Sequence, residues 1–297
     1  MLTIWVLTDG KRGHENQSLG LAKALARKTS TQVETIRVND GLGWLMNWLL
    51  GIFPPGQNCP KPDLILAAGH VTHVPLLAAR RAFGGKAVAL MKPSLPQMFF
   101  DRVVVPRHDG LKPDGKRLIT EGPINRVQPN KLAARTVSLF LIGGPSPHFQ
   151  WDSAEIIRQI LAIASQDPGR QWTLTTSRRT PADFLSQLTR SSPENLTVVP
   201  HEQTGADWLP EQLGQSEVVW VTPDSVSMVY EALTAGAGVG LFDLPSRQTR
   251  VARSILSLLE QKLVISFDQW QQQPCLPRPA PHFNEADRIA DEILRSL

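Results

Sequence analysis

Short apolar runs of five or six residues alternate with stretches of helical periodicity from one end of this 297-residue chain to the other. A run that is apolar at nearly every position has both of its faces buried. When such runs are joined through helices, they lie parallel in one sheet with helices on both sides. Thr3–Leu7, Val33–Val38, Asp63–Ala67, Lys86–Leu90 and Arg102–Val105 read as the strands of the first half, the last two closing it. A helix runs from about Glu15 to Lys28, with Leu19, Ala22, Leu25 and Ala26 at helical spacing, and another passes through Leu76–Ala79. The polar, breaker-rich stretch Gly122–Arg135 reads as a linker, and after it the pattern restarts. Strands are expected at Val137–Ile142, Trp172–Thr176, Leu196–Val199, Val218–Val221 and Val239–Phe242. Helices are expected at Asp152–Ser165 and at Ser225–Ala235, the second closed by Gly236. The Pro274–Pro281 segment is a surface connector, and the amphipathic Asn284–Leu297 ends the chain as a helix. The expectation is an α/β chain of two Rossmann-like domains, residues 1–130 and 131–297, the final helix included in the second.

Composition narrows the function classes. With 41% hydrophobic and 20% charged residues the chain has a globular profile. Its longest apolar stretch, Leu42–Phe53, is broken by Asn47 and followed by Pro54 and Pro55, too short for the roughly 20 residues of a membrane span. No signal-peptide pattern opens the sequence, so a cytoplasmic location is expected. Cys59 and Cys275 form no CxxC, which excludes a disulfide scaffold and a cysteine-rich zinc site. The net charge of +4 comes from scattered pairs such as Lys11-Arg12, Arg80-Arg81 and Arg178-Arg179. With one tyrosine and no aromatic–basic motif, nucleic acid is not the expected partner; an anionic ligand or an anionic membrane fits the charge.

In parallel sheets ligands bind beyond the carboxyl ends of the strands, and three strand exits are rich in polar groups. The first is Thr8-Asp9-Gly10-Lys11-Arg12-Gly13-His14-Glu15-Asn16. Its glycines admit close backbone approach, and His14 at the helix start is placed as a general base on a substrate hydroxyl. The second is Gly69-His70-Val71-Thr72-His73, a polar substrate-facing loop. The His70/His73 spacing could bind a metal, but zinc needs a third ligand that no linked motif supplies, so no metal site is expected. The third runs from Thr222-Pro223 through Asp224 and Ser225, either of which would cap the helix, to Ser227, Met228 and Glu231. Ser227 and Glu231 share a helix face. A carboxylate there suits ribose hydroxyls, and the helix start suits a diphosphate. Gly143-Gly144-Pro145-Ser146 and Thr176-Ser177-Arg178 end two neighbouring strands and offer hydroxyls, close backbone and a cation.

The segments DGKRGHENQSLGLAKAL, KPDLILAAGHVTHVPLLAARR, LIGGPSPHFQWD and VTPDSVSMVYEALTAG resemble, in the same order, the family of plant elongated-mitochondria fission proteins and its bacterial homologues. That family is similar to glycosyltransferases of the GT-B fold, which implies two Rossmann-like domains facing a cleft. The C-terminal domain would hold a nucleotide-sugar and the N-terminal one the acceptor. By position the resemblance assigns Ser225, Ser227, Met228 and Glu231 to the donor ribose, and Gly143, Gly144, Thr176, Ser177 and Arg178 to the nucleotide and diphosphate. It matches His14 to the histidine after the glycine-rich turn of the peptidoglycan N-acetylglucosaminyl transferase, although this chain has only Gly10 and Gly13 where that enzyme has a denser glycine run. Asp9, Gly10, Gly13, Asn16, Gly69, His70 and His73 would face the acceptor. The nucleotide-sugar is then a substrate, and neither cofactor nor metal is needed. Trp44 and Trp48 in the 42–55 segment suit a membrane interface or, equally, a buried helix that closes the N-terminal sheet; on the first reading a lipid-linked or cell-envelope glycan acceptor and a peripheral position on the inner membrane face are expected. The alternatives are a non-catalytic scaffold of the same fold and a nucleotide-sugar epimerase or hydrolase.

Overall fold

A computed structural model describes residues 1–41, 43–128, 136–278 and 283–297. The expected boundary at 130/131, much of the expected linker, Leu42 of the apolar segment and residues 279–281 of the proline-rich connector lie outside the described residues.

The chain forms two units, one of residues 1–126 together with 285–297 and one of residues 127–284. In the first, strands β1 (Leu2–Thr8), β2 (Thr31–Arg37), β3 (Leu64–Ala68), β4 (Lys86–Leu90), β5 (Arg102–Pro106) and β6 (Arg117–Thr120) alternate with helices α1 (Arg12–Lys28), α2 (Gly43–Leu50) and α3 (His73–Phe83). They pair in the order β2-β1-β3-β4-β5-β6, parallel throughout. β6 was not expected: Arg117–Thr120 alternates weakly and only its pairing with β5 makes it a strand. The two faces of β1 explain its unbroken apolar run. Ile4 and Val6 pack with Leu21 and Leu25 of α1, whereas Trp5 and Leu7 pack with Leu76 and Phe100 on the other side.

The second unit contains strands β7 (Val137–Leu141), β8 (Trp172–Thr175), β9 (Leu196–Val199), β10 (Ser216–Val221), β11 (Gly238–Leu241) and β12 (Ile265–Ser266). Its helices are α4 (Ser153–Gln166), α5 (Phe184–Thr189), α6 (Trp208–Gly214), α7 (Val226–Ala235), α8 (Arg250–Glu260) and α9 (Phe267–Gln272). The sheet order is β12-β11-β10-β7-β8-β9, again parallel. Asp152 caps α4 by accepting the Glu155 amide, and Gly236 closes α7 with φ +74°.

One assignment is corrected by packing. The final helix, α10 (Glu285–Arg295), follows the second unit in sequence but belongs to the first. Its Ala286, Ile289, Ala290 and Ile293 are buried against Leu21 and Leu25 of α1. Sequence order says where an amphipathic helix lies along the chain, not which apolar face it covers.

Candidate functional site

In the first unit the polar exits of β1 and β3 come together around His14. α1 begins at Arg12, three residues earlier than its periodicity suggests, so His14 lies in its first turn, with its amide on the Lys11 carbonyl at 2.9 Å. Asp9 follows β1 with its carboxylate almost fully buried. It accepts from the Lys11 amide at 3.1 Å and receives His14 Nδ1 at 2.9 Å. Burial works to raise the Asp9 pKa. The Lys11 amide, the His14 hydrogen bond and the His14 and Lys11 charges outweigh it, and the carboxyl sits below its ordinary value. A carboxylate can only accept, so Nδ1 of a neutral His14 carries the proton and Nε2 is the bare, basic nitrogen. This pairing escaped the sequence reading, which placed Asp9 on the acceptor side. The Asp-Gly-Lys turn, in which an Asp carboxylate commonly accepts an amide two residues on, was the available signal.

Gly69 holds the far side of His14. Its φ is +92°, and a Cβ on it would fall inside the His14 imidazole. After it a 3-10 turn, His70–Thr72, leads into α3. His70 is exposed, whereas His73 is buried against the Phe100 ring. The Ser94 amide and hydroxyl meet His73 Nδ1 at 3.4 and 3.0 Å. Nδ1 therefore accepts, and Nε2 carries a hydrogen that finds no partner among the described residues. Burial lowers the His73 pKa to about 4, with the charges of His70 and His14 adding to the effect. The two imidazoles thus differ: His14 has its Nε2 bare, whereas the Nε2–H of His73 is enclosed. Among the described residues no group of three His, Cys, Asp or Glu side chains is arranged to hold a metal ion. Gly13 is exposed with open space about its Cα, and Asn16 accepts from Arg126 Nε at 2.8 Å.

In the second unit the exits of β7, β8 and β10 converge. Gly143 and Gly144 are glycines because a Cβ on the first would strike the Asp224 carboxylate and a Cβ on the second the Arg179 carbonyl. Their amides are taken by Thr222 Oγ1 at 2.7 Å and Asp224 Oδ2 at 3.0 Å. Ser177 donates to the Gly143 carbonyl at 2.9 Å, Thr176 meets His201 Nδ1 at 3.3 Å, and Ser146 accepts the His148 amide at 3.2 Å. These hydroxyls therefore shape the loops. The expected cap of α7 is also different. Ser225 is the N-cap residue but its side chain makes no cap hydrogen bond, while Asp224 turns back to the glycine loop and to Arg179 Nη2 at 2.6 Å. The first-turn amides of α7, Val226 to Met228, receive no side-chain cap from Ser225, nor any side-chain partner among the described residues. Ser227 is exposed beside them, Met228 is half-buried, and Glu231 is buried one turn further in. Of the adjacent arginines, Arg178 is exposed and Arg179 reaches the loop, also donating to the Gly144 carbonyl at 3.1 Å. No sequence signal separates the two.

α2 lies beside the first unit's sheet. Trp44 and Trp48, suited by sequence to a membrane interface or to a buried helix, turn inward to Phe53 and Phe99, with ring centroids 5.5 and 5.6 Å apart. The exposed side carries Leu45, Met46, Leu49 and Leu50, 52–63% accessible, with Ile52 and Met98 exposed as well. No helix among the described residues is long and apolar enough to cross a membrane.

The family described as Mitochondrial fission ELM1 matches residues 12–297. The chain belongs to that family. An uncharacterised relative, RP120 of Rickettsia prowazekii (strain Madrid E), is 24% identical, the alignment covering 100% of this chain and 99% of that protein. Among solved structures, the UDP-GlcNAc 2-epimerase of Methanocaldococcus jannaschii is similar with a TM-score of 0.60 at 11% identity, over 99% of each chain. That of Neisseria meningitidis bound to UDP-GlcNAc is similar with a TM-score of 0.54 at 13% identity, over 100% of each chain. At such identities the likeness is one of fold, and it makes this ELM1-family chain GT-B-like, with two parallel α/β units.

Proposed function

We propose that this protein binds a nucleotide-sugar at the strand exits of its second unit and transfers the sugar to an acceptor hydroxyl at the first. The observation that carries the reading is the N-terminus of α7, whose first-turn amides lack a side-chain cap beside the Gly143-Gly144 loop and Arg179. A helix start of this kind favours a diphosphate through its amides and dipole. The solved relatives of the same fold, one of them holding UDP-GlcNAc, lend support. Ser225, Ser227, Met228 and Glu231 take the ribose side in this reading, with Arg179 joining Arg178 as the cation for phosphate. His14 Nε2 removes the acceptor's hydroxyl proton, the oxygen attacks the anomeric carbon, and the nucleoside diphosphate leaves with its charge held by the α7 start. Asp9 fixes the imidazole. Neither metal nor resident cofactor enters the step.

The acceptor is a lipid-linked or cell-envelope glycan, reached from the cytoplasmic face of the inner membrane. The support is the exposed apolar side of α2 on a basic unit. Residues 1–126 and 285–297 hold 19 basic and 13 acidic residues, net +6, and residues 127–284 hold 12 and 14, net −2, which sum to the chain's +4.

A second reading, epimerisation of the nucleotide-sugar, is favoured by the 2-epimerases among the solved relatives. One experiment separates them: thermal shifts with UDP, GDP, ADP and CDP and their sugars, followed by product analysis with and without acceptor. Stabilisation by one base supports the donor site, and turnover without acceptor selects the epimerase. No shift with any nucleotide overturns both and leaves a non-catalytic scaffold.

A further inference from the structure

The second unit contains a cavity of about 470 Å³ at the other end of its sheet from the strand exits. Trp172 opens β8, Glu217 and Val218 lie near the start of β10, and Gly238 opens β11; all four line it. Ile163, Trp270 and Leu276 complete an apolar wall. Gly238 permits this, because a Cβ there would press on Leu276 Cβ at 3.0 Å.

The polar side is unbalanced toward donors. Arg170 sits over the Trp172 ring at 5.9 Å and uses Nε on Asp167 at 3.0 Å, and Nη1 on Ser138 at 2.9 Å and on Glu217 at 3.0 Å. Arg278 Nη2 reaches the other Glu217 oxygen at 3.3 Å. Both acids are thus engaged by arginine, whereas Arg170 Nη2 and Arg278 Nη1 donate to nothing among the described residues. Trp172 is 3% exposed and its indole N–H is also without a partner there. Guanidinium N–H groups can only donate. The complementary ligand brings acceptor oxygens and an apolar body. Its size falls within the range of small-molecule sites, about 300–1,000 Å³.

We propose that this cavity is a binding site for a small carboxylate with an apolar body, its oxygens received by Arg170 and Arg278 and its body packed beside the Trp172 ring, whose indole N–H reports on binding nearby. The site is independent of the nucleotide-sugar reading. It is tested on the full chain by following the tryptophan indole N–H resonances during titration with benzoate and hexanoate, then with benzamide, hexanamide and inorganic phosphate. The Trp172 signal is identified by its loss in Trp172→Phe, which keeps a ring stacked on Phe140. The expected result is a saturable shift of that signal by at least one of the two carboxylates and little by either amide. Arg278→Met, at an exposed position, should weaken the binding about ten-fold or more, the worth of a charge-assisted hydrogen bond. The same carboxylate should slow alkylation of Cys275, an exposed thiol on the cavity wall. No shift with either acid, equal shifts with the amides, or an undiminished affinity in Arg278→Met would overturn the proposal. A shift by phosphate alone would overturn it too, since the apolar wall would then have no role.

Discussion

His14 is held from two sides, by the Asp9 carboxylate and by the absence of a side chain at Gly69. Gly69→Ala should therefore cost about 2 kcal/mol or more, read by urea denaturation, because alanine is strained at positive φ and its methyl would displace the imidazole. A stability within error of the parent would mean that the loop shifts freely. The two neighbouring arginines give a sharper contrast. Arg179→Ala should weaken nucleoside diphosphate binding about ten-fold or more, and Arg178→Ala much less, by calorimetry. The reverse order would restore the residue picked from sequence. His73 carries a pH dependence whose sign is fixed by burial. The unfolded chain protonates an ordinary histidine near 6.5 and the folded one only near about 4. Its contribution is therefore complete above about 6.5 and is lost as pH falls toward 4, by up to about 3 kcal/mol. Asp243, raised to about 6 by burial first and then by the Asp268 carboxylate, acts in the other direction: its stabilising protonation is lost as pH rises through about 6. The test is the difference in stability between the parent and His73→Gln across pH 4–6.5, which should shrink toward acid.

At the level of elements, α2 separates two roles that its composition merges. Its tryptophans are packing residues and its leucines face outward. Replacing Leu45, Leu49 and Leu50 together by Ser should change stability little, since exposed positions contribute about 0.5 kcal/mol or less each, yet abolish sedimentation with anionic vesicles. Trp48→Ser should instead destabilise the first unit. Vesicle binding that survives the triple leucine change would remove α2 from the membrane account. α7 shows a comparable division. A Ser at the N-cap ordinarily closes a helix, but here the side chain does not, and Asp224 is spent on the glycine loop. An element that forgoes its cap leaves its amides for something else, which is why the helix start carries the functional reading.

On the scale of the whole chain, α10 ties the last residues to the first unit. Ending the chain at Asn284 should unfold the first unit and spare the second, giving a lost calorimetric transition, and Ile289→Ala should cost it about 2–5 kcal/mol. The charge asymmetry predicts that vesicle binding weakens as salt screens the basic unit. The sequence by itself determined most of the architecture: the parallel α/β class, ten of the twelve strands among the described residues, the restart after the linker and the three polar strand exits. Apolar periodicity and breaker residues are local properties, and a parallel strand with two buried faces has few other ways to satisfy them. Tertiary structure decided what depends on direction and partner. It made Arg117–Thr120 and Ile265–Ser266 into edge strands, which short sequences become only by pairing. It brought Arg179 to the glycine loop and left Arg178 exposed, turned Asp224 away from its cap, pointed the α2 tryptophans inward, joined Asp9 to His14 and sent α10 back to the first unit. In each case the residue types allow several partners, and only the packed chain fixes which one lies within reach.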